Sequence, residues 1–355
     1  VMDRLADTGI LFENTTCQVP LTLPSHSSMF TGTYPFYHGV RDNGGFYLEQ
    51  DKITLAEVLK ENGLTTSAFI GAFVLDSRWG LDQGIDYYYD NFDFSKYEKI
   101  SLDTVQREGG EVIEAFFEWF EGNHQKRFFS WIHLYDPHAP YEPPEPYNTK
   151  YAGRPWGLYD GEIAYVDELV GKVLDKLEEK DVLEKTIIVI AGDHGEMLGE
   201  HQESAHGFFI YEAATSVPLI IHFPSSKFGG KRINAPVETV DIMPTLLQIL
   251  GIPMPEEVQG QSLIPLIIEN NLKQERFAYS ETHYPLYHFG WSALKSLQNS
   301  QFKFIKAPKP ELYDIVNDPQ ELYNLYTQEA KIGQQLEQRL ISLQEEMSAQ
   351  GIEEK

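Results

Sequence analysis

Short apolar runs alternate along this chain with longer stretches in which apolar residues recur every three or four positions. The runs predict strands at 10–19, 65–70, 128–134, 186–191, 217–223 and 277–280. The periodic stretches predict helices at 55–61, 105–120, 159–177 and 241–251, and the chain opens directly in a helical pattern. In the third helix Ile163, Val166, Val170, Val173, Leu174 and Leu177 share one stripe. A Pro-rich stretch at 137–155 reads as a long loop over the sheet. From about 286 the texture changes. Strands are expected at 302–307 and 312–315, joined through Pro308 and Pro310. A last helix follows, with Ile332, Leu336, Leu340, Leu343 and Met347 at helical spacing. Strand and helix in alternation predict an α/β layered fold.

Composition narrows the function class. A chain of 355 residues can bury a large core. Its net charge of -26 disfavours nucleic acid, which needs a basic face. It also requires a locally positive pocket for any polyanionic substrate. The single cysteine, Cys17, excludes an internal disulfide framework and is expected to be a buried strand residue. No apolar run is long enough to predict a membrane span.

Residues 22–26 read Thr-Leu-Pro-Ser-His, and Gly32 follows. Pro24 suits the first position of a short helix, Gly32 its end, and Thr22 the residue just ahead of it. Free backbone N–H groups and the positive helix end would then hold a tetrahedral anion beside the Thr22 hydroxyl. A second cluster, Gly192-Asp193-His194-Gly195-Glu196, directly follows the apolar run 186–191. That is the carboxyl end of a predicted strand, where open α/β sheets bind ligands. Asp193 offers a metal an oxygen and His194 a nitrogen. The flanking glycines are expected to let the backbone turn and the metal approach. An Asp–His hydrogen-bonded turn is the structural alternative.

The segment from Thr22 through Thr31, Gly32, Tyr34, Pro35, His38 and Gly39 resembles the nucleophile signature of the sulfatase family, within the alkaline phosphatase superfamily. That signature is Cys-x-Pro-Ser-Arg followed by Thr-Gly-x-Tyr-Pro-x-x-His-Gly. Here Thr22 replaces the cysteine that matures to formylglycine, and His26 replaces the arginine. The Thr-x-Pro-x-His form is similar to phosphodiesterase-type relatives. The Glu311 to Leu325 stretch also resembles the small C-terminal subdomain of sulfatases. The resemblance implies an alkaline-phosphatase-like α/β fold, a mostly parallel sheet between helices. It divides the chain into a catalytic domain at 1–285 and a small α+β subdomain at 286–355.

The same resemblance implies roles. Thr22 would be nucleophile and metal ligand, with Asp193 and His194 completing the metal site. Zinc or manganese is favoured over calcium, because an imidazole suits the softer ions. Ser25 and His26 would contact the anion. His138, in the Asp136-Pro137-His138 segment, and His206 would assist the leaving group, with a second-metal role open to His206. His133 is expected to be structural and His201 peripheral. A Gly-Lys-Trp-His segment that grips sulfate in relatives is matched here by Gly71-Ala72-Phe73-Val74, which lacks both contacts. An opening strand bearing metal-binding aspartates is expected ahead of the first helix and is read as missing. Asp3 and Asp7 are poor stand-ins. The expected function is metal-dependent hydrolysis of a sulfate or phosphate ester, of small-molecule or glycan type, through a covalent Thr22 intermediate. The alternatives are a phospho-group transferase to a cell-envelope acceptor and an inactive binding fragment. A periplasmic or extracellular location is the expectation.

Overall fold

The computed structural model describes residues 1–97, 100–102, 104–269 and 275–348. Its contacts group the chain into two compact units. The first comprises Val1–Gly9, Ala56–Ile188 and His222–Gly229, the second Ile10–Leu55, Val189–Ile221 and Gly230–Lys355.

In the first unit the strand Thr65–Ile70 lies between Tyr87–Tyr89 and Phe128–His133, and both pairings are parallel. Helices Gly109–Glu121 and Gly157–Glu179 supply the apolar cover. Phe69, Val112, Phe116, Phe120 and Leu177 form the core between them. The expected helix start at 105 moves to Gly109. Arg107 donates its N–H to the Gly71 carbonyl instead of joining a helix. Asp136 Oδ2 then accepts from Gly109 N, and the Tyr165 hydroxyl from Gly110 N, at 3.1 and 3.0 Å. These partners satisfy donors that a helix start leaves open. In the long helix Leu174 and Leu177 are buried as expected, but the first half of the stripe is rotated. Tyr165 and Leu169 are buried while Ile163 is exposed. Tyrosine can face inward because its hydroxyl finds Glu108 Oε1 at 2.7 Å. The Pro-rich stretch is interrupted by a short helix, Tyr147–Tyr151.

In the second unit, apart from the strand-end residues Ile188 and His222, a sheet runs in the order Ile188–Ala191, Leu219–His222, Ile10–Phe12, Lys231–Ile233. Ile10–Phe12 is antiparallel to Leu219–His222 and parallel to Lys231–Ile233. The single strand expected at 10–19 is broken. Thr15–Thr16 leaves this sheet and pairs in parallel with Val237–Glu238. Cys17 is buried as expected but lies past that strand. Its N–H donates to the Thr215 carbonyl.

Near the C-terminus four strands, Ala278–Thr282, Leu294–Gln298, Phe302–Lys306 and Glu311–Asp314, form an antiparallel meander. Helix Ala330–Ser348 lays Leu336, Leu340 and Leu343 on Tyr279, Leu297, Phe304 and Leu312. Each such leucine contributes about 1.5–3 kcal/mol on burial. The mixed α/β architecture is therefore the one expected. Among the described residues no helix is long and apolar enough to cross a membrane.

Candidate functional site

Helix Thr22–Thr31 is buried on nearly every side, so its polar side chains must be satisfied locally. Ser27 and Thr31 hydroxyls donate to the carbonyls of Leu23 and Ser27, four residues back. Gly32 ends the helix in the left-handed region, at φ 64°. Its carbonyl accepts from Gln259 N and Gly260 N at 2.8 and 3.0 Å. His38 accepts from Val40 N through Nδ1 and faces the Ser28 hydroxyl through Nε2 at 2.9 Å. Burial pushes this imidazole down to about 3, so it stays neutral. The Thr31–Gly39 tail is thus a clamp that fixes the helix.

The start of this helix differs from expectation. Extended Leu21 is the cap, Thr22 is the first helical residue, and Pro24 is the third. Proline is accepted there because first-turn N–H groups lack intrahelical partners. The helix end is also not an open cradle of donors. Leu23 N donates to Asn43 Oδ1 at 2.9 Å, Pro24 has no N–H, and Ser25 N donates to the Leu21 carbonyl at 3.1 Å. An anion there would have to rely on other groups.

Those groups come from the turn after strand Ile188–Ala191. Gly192 N donates to the Pro218 carbonyl and Gly195 N to the Ala214 carbonyl. A Cβ on Gly195 would sit 2.1 Å from the Ala213 oxygen. Gly195 therefore permits close backbone packing, while a Cβ on Gly192 would meet the Pro218 and Val217 side chains. Ser25 Oγ donates to the Asp193 carbonyl at 2.6 Å, tying turn to helix. His194 Nδ1 lies 2.9 Å from the Gly195 carbonyl, which only accepts. Nδ1 therefore carries the proton and Nε2 the lone pair. That lone pair faces Thr22 Oγ1 at 3.2 Å and Asp193 Oδ2 at 3.5 Å. His26 donates from Nδ1 to the Thr22 carbonyl at 2.8 Å and lies 3.7 Å from Asp193 Oδ2. Burial lowers the pKa of both His26 and His194 against the opposing pull of Asp193.

The donor set fits a divalent metal. A tetrahedral ion bound by nitrogen and oxygen at about 2.0–2.2 Å needs donors about 3.4 Å apart. The separations from His194 Nε2 to Thr22 Oγ1 and to Asp193 Oδ2 are 3.2 and 3.5 Å. A neutral imidazole is the ligating form, and burial favours it here.

His206 joins the same group. Its ring lies 4.2 Å from that of His194, and Nδ1 is 3.2 Å from Glu196 Oε2. His138 belongs to the first unit. There it stacks on Tyr135, faces the Tyr135 hydroxyl through Nε2 at 2.8 Å and donates from Nδ1 to the Ala139 carbonyl at 2.7 Å. His133, also in that unit, ends strand Phe128–His133. His201 stacks flat on Tyr211, with Nε2 3.1 Å from the Gln320 carbonyl. In the 71–74 segment Ala72, Phe73 and Val74 are buried in the first unit.

Sequence reasoning missed Asn43 and the Glu196–His206 pairing. Asn43 lies in Arg-Asp-Asn-Gly-Gly, which reads only as a turn. Glu196 carried a usable signal, an acid three residues past Asp193.

Comparison with known proteins adds a family. The sequence profile described as Sulfatase matches residues 1–252. A second, described as N-sulphoglucosamine sulphohydrolase, C-terminal, matches residues 199–346. Arylsulfatase K of Mus musculus is 33% identical over 195 residues, 52% of this chain and 35% of the relative. An ulvan-active sulfatase of Formosa agariphila is 24% identical over 378 residues, 91% of this chain and 71% of the relative. The chain thus spans about a third of the mouse enzyme's length. Among solved structures, the phosphonate monoester hydrolase of Agrobacterium radiobacter superposes with a TM-score of 0.81 at 21% identity. That match covers 97% of this chain and 90% of the other. A structure in complex with its substrate D-glucosamine-2-N,6-O-disulfate gives a TM-score of 0.78 at 22% identity, covering 98% and 92%. At these identities the structural likeness speaks for the fold.

Proposed function

The chain belongs to the sulfatase family, and from that premise we propose that it is a metal-dependent hydrolase of a sulfate or phosphate ester with Thr22 as nucleophile. The observation that carries the reading is the Thr22 hydroxyl 3.2 Å from the unprotonated Nε2 of His194. Asp193, His194 and Thr22 are the residues that would hold the ion. A bound zinc or manganese would lower the pKa of the Thr22 hydroxyl and polarise an oxygen of the ester.

On the protein side, Thr22 Oγ1, its proton lost to solvent, forms a bond to phosphorus or sulfur. The bond from that atom to the alcohol oxygen breaks. His206, oriented by Glu196, donates a proton to the departing alcohol. Water, giving a proton back to His206, then attacks the same phosphorus or sulfur, the bond to Thr22 Oγ1 breaks, and the phosphate, phosphonate or sulfate product leaves. Ser25 holds the Asp193 carbonyl and keeps turn and helix in register. His26 braces the Thr22 carbonyl from within the helix.

A plain threonine hydroxyl favours phosphoryl or phosphonyl transfer, because a formylglycine hydrate has an easy route to expel sulfate and threonine does not. The fold likeness to a phosphonate monoester hydrolase is in keeping with that ranking. The relatives acting on ulvan and on a sulfated glucosamine favour a glycan-type anionic ester as the natural substrate. The test is a panel of p-nitrophenyl phosphodiester, phenylphosphonate and sulfate, run with metal analysis on wild type and Thr22→Ala. The expected result is preference for the phosphorus esters, with turnover abolished in the variant. Turnover retained by Thr22→Ala would remove Thr22 from the role, and a strong sulfate preference would reverse the ranking.

A further inference from the structure

Beside the Thr22 site the second unit exposes a row of large apolar side chains. Leu286, Tyr287, Phe289 and Trp291 are 41%, 46%, 54% and 59% exposed within six residues of chain. Monomeric proteins rarely show so many together unless the surface binds something. Phe208 ties this row to the catalytic group. Its ring centroid lies 5.3 Å from Phe289 and 5.2 Å from Trp291. It is only two residues from His206, whose ring is 4.2 Å from that of His194. Two residues of chain span at most about 7 Å. The residue between them, Gly207, packs against both sides: a Cβ there would lie 2.9 Å from Cδ2 of Leu21, the residue before Thr22, and 3.7 Å from Cγ of Tyr284, on the helix that leads into the row.

The row is held rigid. Helix Tyr284–Phe289 ends at Gly290, in the left-handed region at φ 68°. Gly290 N donates to the Leu286 carbonyl and Trp291 N to the Pro285 carbonyl, at 3.0 and 3.1 Å, which fixes the Trp291 backbone. Thr282 Oγ1 donates to the Gly207 carbonyl and accepts from Tyr284 N, joining the Phe208 segment to the helix start. His288 Nε2 meets Asp42 Oδ2 at 2.9 Å. The next residue, Asn43, caps the Thr22 helix. One short loop thus anchors both the nucleophile and the aromatic row.

We propose that Phe208, Phe289 and Trp291 form a ring-binding wall. It stacks on the apolar face of the sugar or aryl ring that carries the ester. The inference rests on the reading of Thr22 as the centre of an ester hydrolase. It adds that recognition lies in the alcohol half of the substrate. Charge argues the same way. A chain of net charge -26 repels anionic substrates at long range, and stacking supplies affinity without cations. Preorganised rings lose little entropy on binding.

Two measurements test it. Kinetics of phenyl and methyl esters of the same acid are compared in wild type, Trp291→Ala, Phe289→Ala and Trp291→Tyr. The alanine variants should raise KM for the phenyl ester about tenfold and lower the phenyl-to-methyl ratio of kcat/KM equally. Trp291→Tyr, which keeps a ring, should restore most of both. Separately, phenol and methyl β-D-glucopyranoside are titrated against tryptophan fluorescence, a readout that needs no turnover. Saturable quenching lost in Trp291→Ala supports the wall. The ligand that quenches more strongly distinguishes an aryl from a sugar ring. Quenching without turnover on any ester would sink the hydrolase reading and leave the wall standing. Turnover with an unchanged phenyl-ester KM and no quenching overturns the wall. So does a wild-type dimer in sedimentation that Trp291→Ala dissociates, because the row would then be an interface between copies.

Discussion

Glu281 is fully buried on strand Ala278–Thr282 and surrounded by groups that favour its charged form. The Tyr279 hydroxyl donates to Oε2 at 2.5 Å. Arg41 Nε pairs with Oε1 at 3.1 Å, and His283 Nδ1 stands 3.3 Å from the same oxygen. Burial alone would raise the carboxyl pKa. His283, Arg41 and Tyr279 outweigh it and hold the group down at about 2, against 4.5 for a free glutamate. A folded pKa below the unfolded one means the unfolded chain binds the proton more readily. Stability from this group is therefore full above about pH 5 and is lost as pH falls toward 2. The full contribution is about 3 kcal/mol, at 1.36 kcal/mol per unit. About 2 kcal/mol of it should be gone by pH 3. The perturbation is Glu281→Gln, which keeps the shape and removes the titration. Urea unfolding at pH 7 and pH 3 should show wild type more stable at pH 7 and the difference shrinking by about 2 kcal/mol at pH 3. Comparing the two proteins cancels the other carboxylates. A difference that stays constant across this range would show that Glu281 is not held charged by its neighbours, and the network reasoning would fail.

Asn43→Ala should remove the partner of Leu23 N and cost about 0.5–2 kcal/mol in unfolding. By loosening the first turn that carries Thr22, it should lower kcat more than it raises KM, read from steady-state kinetics on the best ester. Gly195→Ala places a Cβ 2.1 Å from a backbone oxygen, so a loss of about 3 kcal/mol or more is expected in urea melts, with turnover falling as the Asp193–His194 turn shifts. Phe69→Ala, in the core of the first unit, should cost about 3–5 kcal/mol in the same assay.

Much of the fold was legible because apolar periodicity is written locally. The strand Thr65–Ile70 and the helix Leu55–Glu61 fall where the pattern placed them. Misplaced boundaries came from distant partners. Asp136 and Tyr165 set the start at Gly109, and Val237–Glu238 draws Thr15–Thr16 out of the longer strand. Neither partner can be read from the segment it alters.

The site divides along the same line. The residue types and spacing of the Thr22 turn mark the family, and the proposed nucleophile and metal donors lie in two short segments, the Thr22 turn and the Gly192–Glu196 turn, that can be read locally. Only the folded chain brings Thr22 to His194, 172 positions away, and locks the imidazole tautomer on Gly195. Only the folded chain shows that Asn43 takes the Leu23 N–H at the helix start. It alone sets His206 on Glu196 and gathers Phe208, Phe289 and Trp291 into one wall. Local sequence encodes which atoms are available, through their chemistry and periodicity. Hydrogen-bond partners and ring contacts far along the chain are chosen by the requirement that every buried polar group and apolar face be matched at once.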